Sequence, residues 1–391
     1  MNNSQFSSWP SYTVEEADAV HEVVLSNKTN YWTGSECHEF EKEFASLSES
    51  KYAVALGNGT LALDVAFKAL DIGIGDEVIV TSRTFIASVS SIVNSGAVPI
   101  FTDVDLNTQN ITPKSIRPVI TNKTKAIVCV HLAGWPCEMG EIMALANEFD
   151  LFVIEDCAQA HGAKYKGIPV GSIGHIGCWS FCQDKIMTTG GEGGMVTTND
   201  ESLWREMWAY KDHGKSYEAV YEREHSEGFR WLHESFGTNG RMTEMQAAIG
   251  RIQLKRMPDW HAKRLSNANK IWNTAKQCKG LRILSIPKHV EHAAYKCYVF
   301  IKSKELKDDW SRDRVIKEIN TLGVPCYSGS CSEVYLEKAF DNTGFRPKER
   351  LSNAKELGET SLMFLVHPTL TKDEIQQTCD AITSVMDLAT I

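Results

Sequence analysis

Residues 51–81 read KYAVALGNGTLALDVAFKALDIGIGDEVIVT. The apolar run KYAVAL ends at a glycine-bearing turn. Ala62, Val65, Ala66, Ala69 and Leu70 then recur at the three-and-four spacing of one helix face, and a second apolar run, EVIVT, follows. Strand, helix, strand is the unit from which parallel sheets are built, because parallel neighbours need a crossover between them.

Reading outward, the same alternation continues. EVIVT leads through a helical stretch, FIASVSSIVNSG (85–96), to VPIFTDV (98–104). KAIVCVH (125–131) precedes a helix with Met139, Ile142, Met143 and Ala146 on one face, and LFVIED (151–156), IGCWSF (176–181) and GGMVTT (193–198) supply three more strands. Runs this apolar are buried on both faces, so the expected core is an α/β domain around a mostly parallel sheet. Ligands of such sheets collect at the carboxyl ends of the strands. Asp156 closes one strand, Ser180 lies near the end of the next, and Lys185 follows shortly after, which places three reactive side chains on one rim.

Bulk properties narrow the classes. The chain has 391 residues, 42% hydrophobic and 23% charged, with a net charge of -9. That is a globular composition with no basic footprint for nucleic acid. The eleven cysteines are scattered and form no CxxC, so they read as free thiols of a reducing compartment, and no metal site is expected. The opening MNNSQFSSWPSY has neither the charged flank nor the apolar core of a signal peptide. No apolar run approaches the roughly 18 residues of a membrane span. A cytoplasmic protein is the expectation.

Two glycine-rich turns invite chemistry. GNGTLA (57–62) matches the G-x-G-x-x-A dinucleotide fingerprint, but the acid that should follow the next strand is missing: Asp76 and Glu77 precede EVIVT. What remains is a helix start at Gly59 and Thr60 whose amides and dipole suit a phosphate, or a tight turn with no ligand. The second is CWSFCQDKIMTTGGEGGMVTTND (178–200), in which Lys185 precedes Gly190, Gly191, Gly193 and Gly194; it reads as a surface turn or as a loop brought close to a ligand. Singly, Asp156 could be a helix cap and Ser180 an ordinary strand serine. Taken together, a phosphate-binding helix start, a carboxylate for a pyridine nitrogen and a lysine for an aldehyde fit pyridoxal phosphate.

The segments NYWTGSECHEFEKEFA (30–45), LGNGTLAL, DEVIVTSRTFIAS, VIEDCAQAHGAKYKG, WSFCQDKIMTTGGEGGMVTTND and NGRMTEMQAAIGRIQLKRM resemble the sugar-nucleotide aminotransferases of the DegT/StrS family over most of the chain. The resemblance implies a fold type I pyridoxal-phosphate enzyme, with a large domain (1–250) around a seven-stranded sheet flanked by helices and a smaller C-terminal α+β domain (251–391). It makes Lys185 the lysine that bonds to the cofactor and Asp156 the partner of the ring nitrogen. It assigns Gly59, Thr60 and Ser180 to the phosphate, Phe85 to stacking on the ring and Gln159 to the ring hydroxyl. Asn239 corresponds to an asparagine lent by the partner subunit of a homodimer with shared sites.

The implied reaction moves an amino group from L-glutamate to a nucleotide-linked keto-deoxysugar, a 4-keto-6-deoxyhexose, for a surface polysaccharide such as O-antigen. Departures concentrate where the acceptor would lie, at Arg83 and in VPCYSGSCSEVY (324–335) with Tyr327. Arg83 reads equally as a substrate-binding cation or as an ion-pair partner. A dehydratase of the same family is the main alternative, disfavoured because such relatives tend to carry histidine at the position of Lys185. A noncatalytic regulator that binds the cofactor is another, against which the acidic balance and the lack of an appended DNA-binding segment count.

Overall fold

The computed structural model describes residues 6–391. Every apolar run read above as a strand is one: β1 (Tyr52–Leu56), β2 (Glu77–Thr81), β3 (Val98–Thr102), β4 (Thr124–Val130) and β5 (Phe152–Asp156) come first. A two-residue hairpin, β6 (Lys164–Tyr165) and β7 (Ile168–Pro169), intervenes before β8 (Ile176–Ser180) and β9 (Gly194–Thr198). The large sheet has seven strands in the order β1-β9-β8-β5-β4-β2-β3. The pairings among β8, β5, β4, β2 and β3 are parallel, and β9 runs against both β1 and β8. Both β8 and β9 are buried along their whole length, as runs without polar alternation require.

Register sets the rim of the site. Val130 of β4 pairs with Asp156 of β5, and Asp156 with Cys178 of β8, so the strand ends at 130, 156 and 180 lie side by side. The helix Gly59–Ala69 packs on β8 and β9 with Ala62, Val65 and Ala66 buried. Beneath the sheet, Phe44 sets its ring 5.1 Å from Trp179 and 5.4 Å from Phe181 in edge-on contacts.

The C-terminal part is built on a four-stranded sheet of β10 (Leu281–Arg282), β12 (Cys297–Ile301), β13 (Cys326–Tyr327) and β14 (Ser361–Phe364), in the order β10-β12-β14-β13 and antiparallel throughout. Between β10 and β12 the short β11 (Val290–Glu291) joins the hairpin β6–β7. The helix Arg312–Thr321 ends before Gly323, whose φ of 81° supplies a left-handed exit. Capping boxes at Thr243 with Gln246 and at Thr371 with Glu374 open the helices Glu244–Gln277 and Lys372–Ala389.

One helix face differs from the hydrophobic pattern. Met245, Ala248, Ile249 and Ile252 share a face by spacing, but the residues buried in the first part of Glu244–Gln277, up to 257, are Glu244, Ala247, Ala248, Gly250, Gln253, Leu254 and Met257. Two polar side chains decide the rotation. The Glu244 carboxylate accepts from the amides of Glu36 and Cys37, and Gln253 Oε1 accepts from the amide of Thr188. Buried hydrogen-bonded polar groups are invisible to a count of apolar residues. The polar excursion 211–240 contains a short helix, Tyr217–Tyr221, and closes on itself through bridges between Asp212 and Asn239 and between Lys215 and His233. All eleven cysteines are free, and among the described residues no helix is long and apolar enough to cross a membrane.

Candidate active site

A cavity of about 990 Å³ opens at the carboxyl ends of β5 and β8. Its lining includes Gly59, Thr60, Phe85, Asp156, Gln159, Ser180 and Lys185. Residues separated by more than a hundred positions meet because each sits at a strand end or in the turn that follows it.

The helix start at Gly59 is fixed by Asn58, whose side chain accepts from the Leu61 amide at 2.9 Å. The amides of Gly59 and Thr60 belong to the first turn and have no intrahelical acceptor. A side chain at 59 would put its Cβ 2.5 Å from Ser180 Cβ, so only glycine leaves this narrow cradle between the helix start and the serine hydroxyl. The glycines after Lys185 serve the same end by another route. Gly190 and Gly191 hold φ of 85° and 113°, which turns the chain, and a Cβ on Gly194 would lie 2.2 Å from the Asn58 carbonyl oxygen. The loop therefore packs against the backbone that forms the cradle.

Asp156 is buried, and its carboxylate is already half-engaged. Oδ2 accepts from Ser88 Oγ at 2.7 Å and Oδ1 from the Ala158 amide at 3.1 Å. The Gln159 carbonyl accepts from the Ala133 amide at 2.8 Å, which turns its amide nitrogen outward from that contact. Phe85, which apolar patterning would send to the core, is 68% exposed on the cavity wall.

Lys185 extends into the cavity with its Nζ 3.7 Å from Asp184 Oδ1 and 5.3 Å from the centre of the Tyr295 ring. Tyr295 in turn donates its hydroxyl to Asp184 Oδ2. Burial pushes the Asp184 carboxyl up, but the Lys185 ammonium and the Tyr295 hydroxyl outweigh it and hold the group below its ordinary value. The remaining wall comes from the C-terminal part: Lys296, Gly329, Ser330, Cys331, Val334 and Glu337.

Three expected residues stand outside this lining. Asn239 is exposed at the end of the polar excursion. Tyr327 is half-exposed on β13. Arg83 is wholly buried and has no carboxylate partner among the described residues: its Nε donates to Gln109 Oε1 at 3.2 Å, one Nη to Ser361 Oγ at 3.0 Å, and its guanidinium lies 5.3 Å from the Tyr298 ring centre. Ser88 and Tyr295 were not anticipated. Ser88 stands one helical turn beyond Phe85 and could have been read from that spacing, whereas nothing in the sequence ties Tyr295 to Lys185.

The chain matches the DegT/DnrJ/EryC1/StrS aminotransferase family over residues 10–383. It is 36% identical over 377 residues to a GDP-perosamine synthase of Escherichia coli O157:H7, covering 95% of this chain and 96% of that one. It is 40% identical over 255 residues to a dTDP-3-amino-3,6-dideoxy-alpha-D-galactopyranose transaminase of Aneurinibacillus thermoaerophilus, covering 65% and 66% of the two chains. The crystal structure of an aminotransferase from Psychrobacter cryohalolentis superposes with a TM-score of 0.96 at 69% identity, covering 98% of this chain and 99% of that one. With a match that runs almost from end to end, this chain belongs to the DegT/DnrJ/EryC1/StrS family of aminotransferases.

Proposed function

We propose that the protein binds pyridoxal phosphate and transfers the amino group of L-glutamate to a nucleotide-linked keto-deoxysugar, a 4-keto-6-deoxyhexose, in the making of a surface polysaccharide. The observation that carries this reading is the convergence of Lys185, Asp156 and the Gly59–Ser180 cradle on one cavity. The residues fit the cofactor: the cradle is narrow and lined by unbonded amides, as a phosphate needs, and Asp156 offers a buried carboxylate for a ring nitrogen. Among the described lining residues no arginine competes for the phosphate, so the helix start and Ser180 hold it.

When bound, the cofactor supplies an aldehyde and a protonated ring that draws electrons from the reacting carbon. Asp156 keeps that charge on the ring nitrogen, and Ser88 fixes the direction of the carboxylate. Phe85 would cover the ring and Gln159 would meet its hydroxyl, since both line the cavity. Lys185 Nζ carries the proton that must leave the donor carbon, with Asp184 Oδ1 3.7 Å from it. Gly329, Ser330, Cys331 and Glu337 form a small, polar wall suited to sugar hydroxyls.

The nucleotide sugar as acceptor rests on the relatives, whose names carry GDP in one case and dTDP in the other. A cytoplasmic homodimer in which Asn239 reaches the partner's cofactor phosphate completes the reading; its support is the exposure of Asn239 away from its own cavity. The test is to load the protein with pyridoxamine phosphate, offer a panel of nucleotide-linked keto sugars and simple 2-oxo acids, and follow return of the aldehyde form by absorbance. Keto sugars should react far faster than pyruvate. A free keto acid other than 2-oxoglutarate as best acceptor would end the sugar reading.

A further inference from the structure

The residue that holds the Lys185 backbone comes from the other end of the chain. The indole Nε1 of Trp9 donates to the Lys185 carbonyl oxygen at 2.8 Å. On the preceding side the Lys185 amide donates to Cys182 O at 3.1 Å, and on the following side Ile186 and Met187 are wholly buried. The Lys185 α-carbon is thus held on both sides, and Trp9 supplies the contact that sets the plane of the 185–186 peptide.

Trp9 is itself fixed. Its ring stands edge-on to Trp260 at 5.0 Å, parallel to His367 at 6.1 Å, and under the guanidinium of Arg264 at 5.0 Å. Among the described residues the buried Arg264 has no carboxylate partner, and its hydrogen bond goes to the Tyr295 carbonyl. The indole face is therefore the chief electron-rich surface offered to that cation. Upstream, Ser7 donates its amide and hydroxyl to the Glu374 carboxylate, and Thr369 donates to Ser8 O at 2.9 Å. Downstream, Glu16 accepts from Gln253 Nε2 at 3.2 Å, and the Gln253 Oε1 accepts from the Thr188 amide at 2.8 Å. The N-terminal segment reaches the Lys185 loop twice, at 185 through Trp9 and at 188 through Glu16 and Gln253.

We infer that Trp9 is a positioning residue for the reacting lysine. Its indole N–H orients the peptide from which the Lys185 side chain departs, and the segment around it anchors that orientation to the C-terminal helix and to the long helix Glu244–Gln277. The inference rests on Lys185 being the amine that moves the proton. A four-carbon side chain that must place Nζ against a carbon leaves little room for a wandering root, because small displacements of a reacting group cost rate steeply.

Trp9→Phe tests it, since phenylalanine keeps an aromatic ring for Trp260, His367 and Arg264 and removes the N–H donor along with the indole's second ring; the thermal midpoint reads the packing lost with that ring. Three quantities are read: hydrogen exchange of the peptide spanning 182–189 in protein free of cofactor, the thermal midpoint of that protein, and kcat and KM for glutamate in the loaded enzyme. Losing one hydrogen bond of about 1 kcal/mol should speed exchange of that peptide and lower kcat, each by about five-fold, while KM stays within about two-fold. Exchange is measured at a fixed interval below each protein's own midpoint, so a destabilised variant still gives an answer. Exchange and kcat equal to wild type would overturn the inference, as would a change in KM alone. The exchange arm needs no cofactor, so it separates failure of the clamp from failure of the transaminase reading, which would show instead as a cofactor attached to some other lysine.

Discussion

Ser88 Oγ lies 2.7 Å from Asp156 Oδ2 and donates to it, while Thr84 Oγ1 stands 2.8 Å from Ser88 Oγ in the same chain. A carboxylate with one oxygen tied to a helix serine and the other to the Ala158 amide cannot rotate freely, so its remaining lone pairs point one way. Asp156→Asn removes the charge and should slow the half-reaction with glutamate by roughly a hundred-fold, the value of a charged hydrogen bond near 3 kcal/mol, with the fold intact. Ser88→Ala keeps the charge but frees the group and should cost roughly ten-fold. Single-turnover rates with glutamate measure both, and equal rates for Asp156→Asn and wild type would remove Asp156 from the site.

Gly59→Ala addresses the cradle. A Cβ there would meet Ser180 Cβ at 2.5 Å, so the helix start or the serine must move. Overpacking of this kind costs about 1–3 kcal/mol, and cofactor affinity should fall by about ten-fold or more. Equilibrium dialysis with pyridoxal phosphate reads it. Unchanged affinity would mean that the phosphate sits elsewhere.

Buried Lys211 predicts a pH effect on stability. Its Nζ stands 3.4 Å from the centre of the Tyr31 ring with Trp208 alongside, and burial brings its pKa down to about 8 despite Glu41 and Asp212. Between pH 8 and the unfolded value near 10.5 the unfolded chain binds the extra proton, so this group's contribution to stability rises with pH across that window. The thiols of Cys37 and Cys326, pushed up by burial, act in the opposite sense above pH 9, so the comparison must be with Lys211→Met. Urea titrations of the two proteins should show wild type gaining relative to the variant by about 2–3 kcal/mol from pH 7.5 to 10.5. A constant difference would mean that Lys211 is not titrating there.

The proposed sharing of sites between subunits makes a fourth prediction. Asn239→Asp would put a carboxylate beside the partner's cofactor phosphate, a like-charge contact that weakens binding. In a mixed dimer of Lys185→Ala and Asn239→Asp chains, one site carries both lesions and the other neither. Mixing the two inactive proteins under subunit exchange should restore activity, up to about a quarter of wild type if chains mix at random into two-fold dimers. A monomer by light scattering, or no recovery after exchange has been verified by mass, would contradict the shared-site arrangement.

The large sheet was legible because its strands are short unbroken apolar runs separated by amphipathic helices. The capping boxes at Thr243 and Thr371 can be read directly from the Thr-x-x-Gln and Thr-x-x-Glu spacings, because caps are local. What escaped the sequence depended on distant partners. Glu244 and Gln253 turn their helix by hydrogen bonds to residues 36, 37 and 188, which no hydrophobic period reveals. Arg83 read equally as a substrate-binding cation or as an ion-pair partner and is instead buried against Tyr298, Gln109 and Ser361, three neutral groups far apart in sequence. Tyr295 and Trp9 reach the Lys185 loop from 110 and 176 residues away. Phe85 came from the resemblance alone, since an exposed phenylalanine has no signature in apolar patterning.

The central claim is that Lys185 bears the cofactor. Borohydride reduction of the protein loaded with pyridoxal phosphate, followed by proteolysis and mass spectrometry, tests it most directly. The account predicts a pyridoxyl adduct on the peptide containing Lys185 and its loss in Lys185→Ala, which should still bind the cofactor noncovalently through the Gly59–Ser180 cradle. An adduct on Lys296, the other lysine of the cavity wall, or on any lysine outside it, would contradict the account.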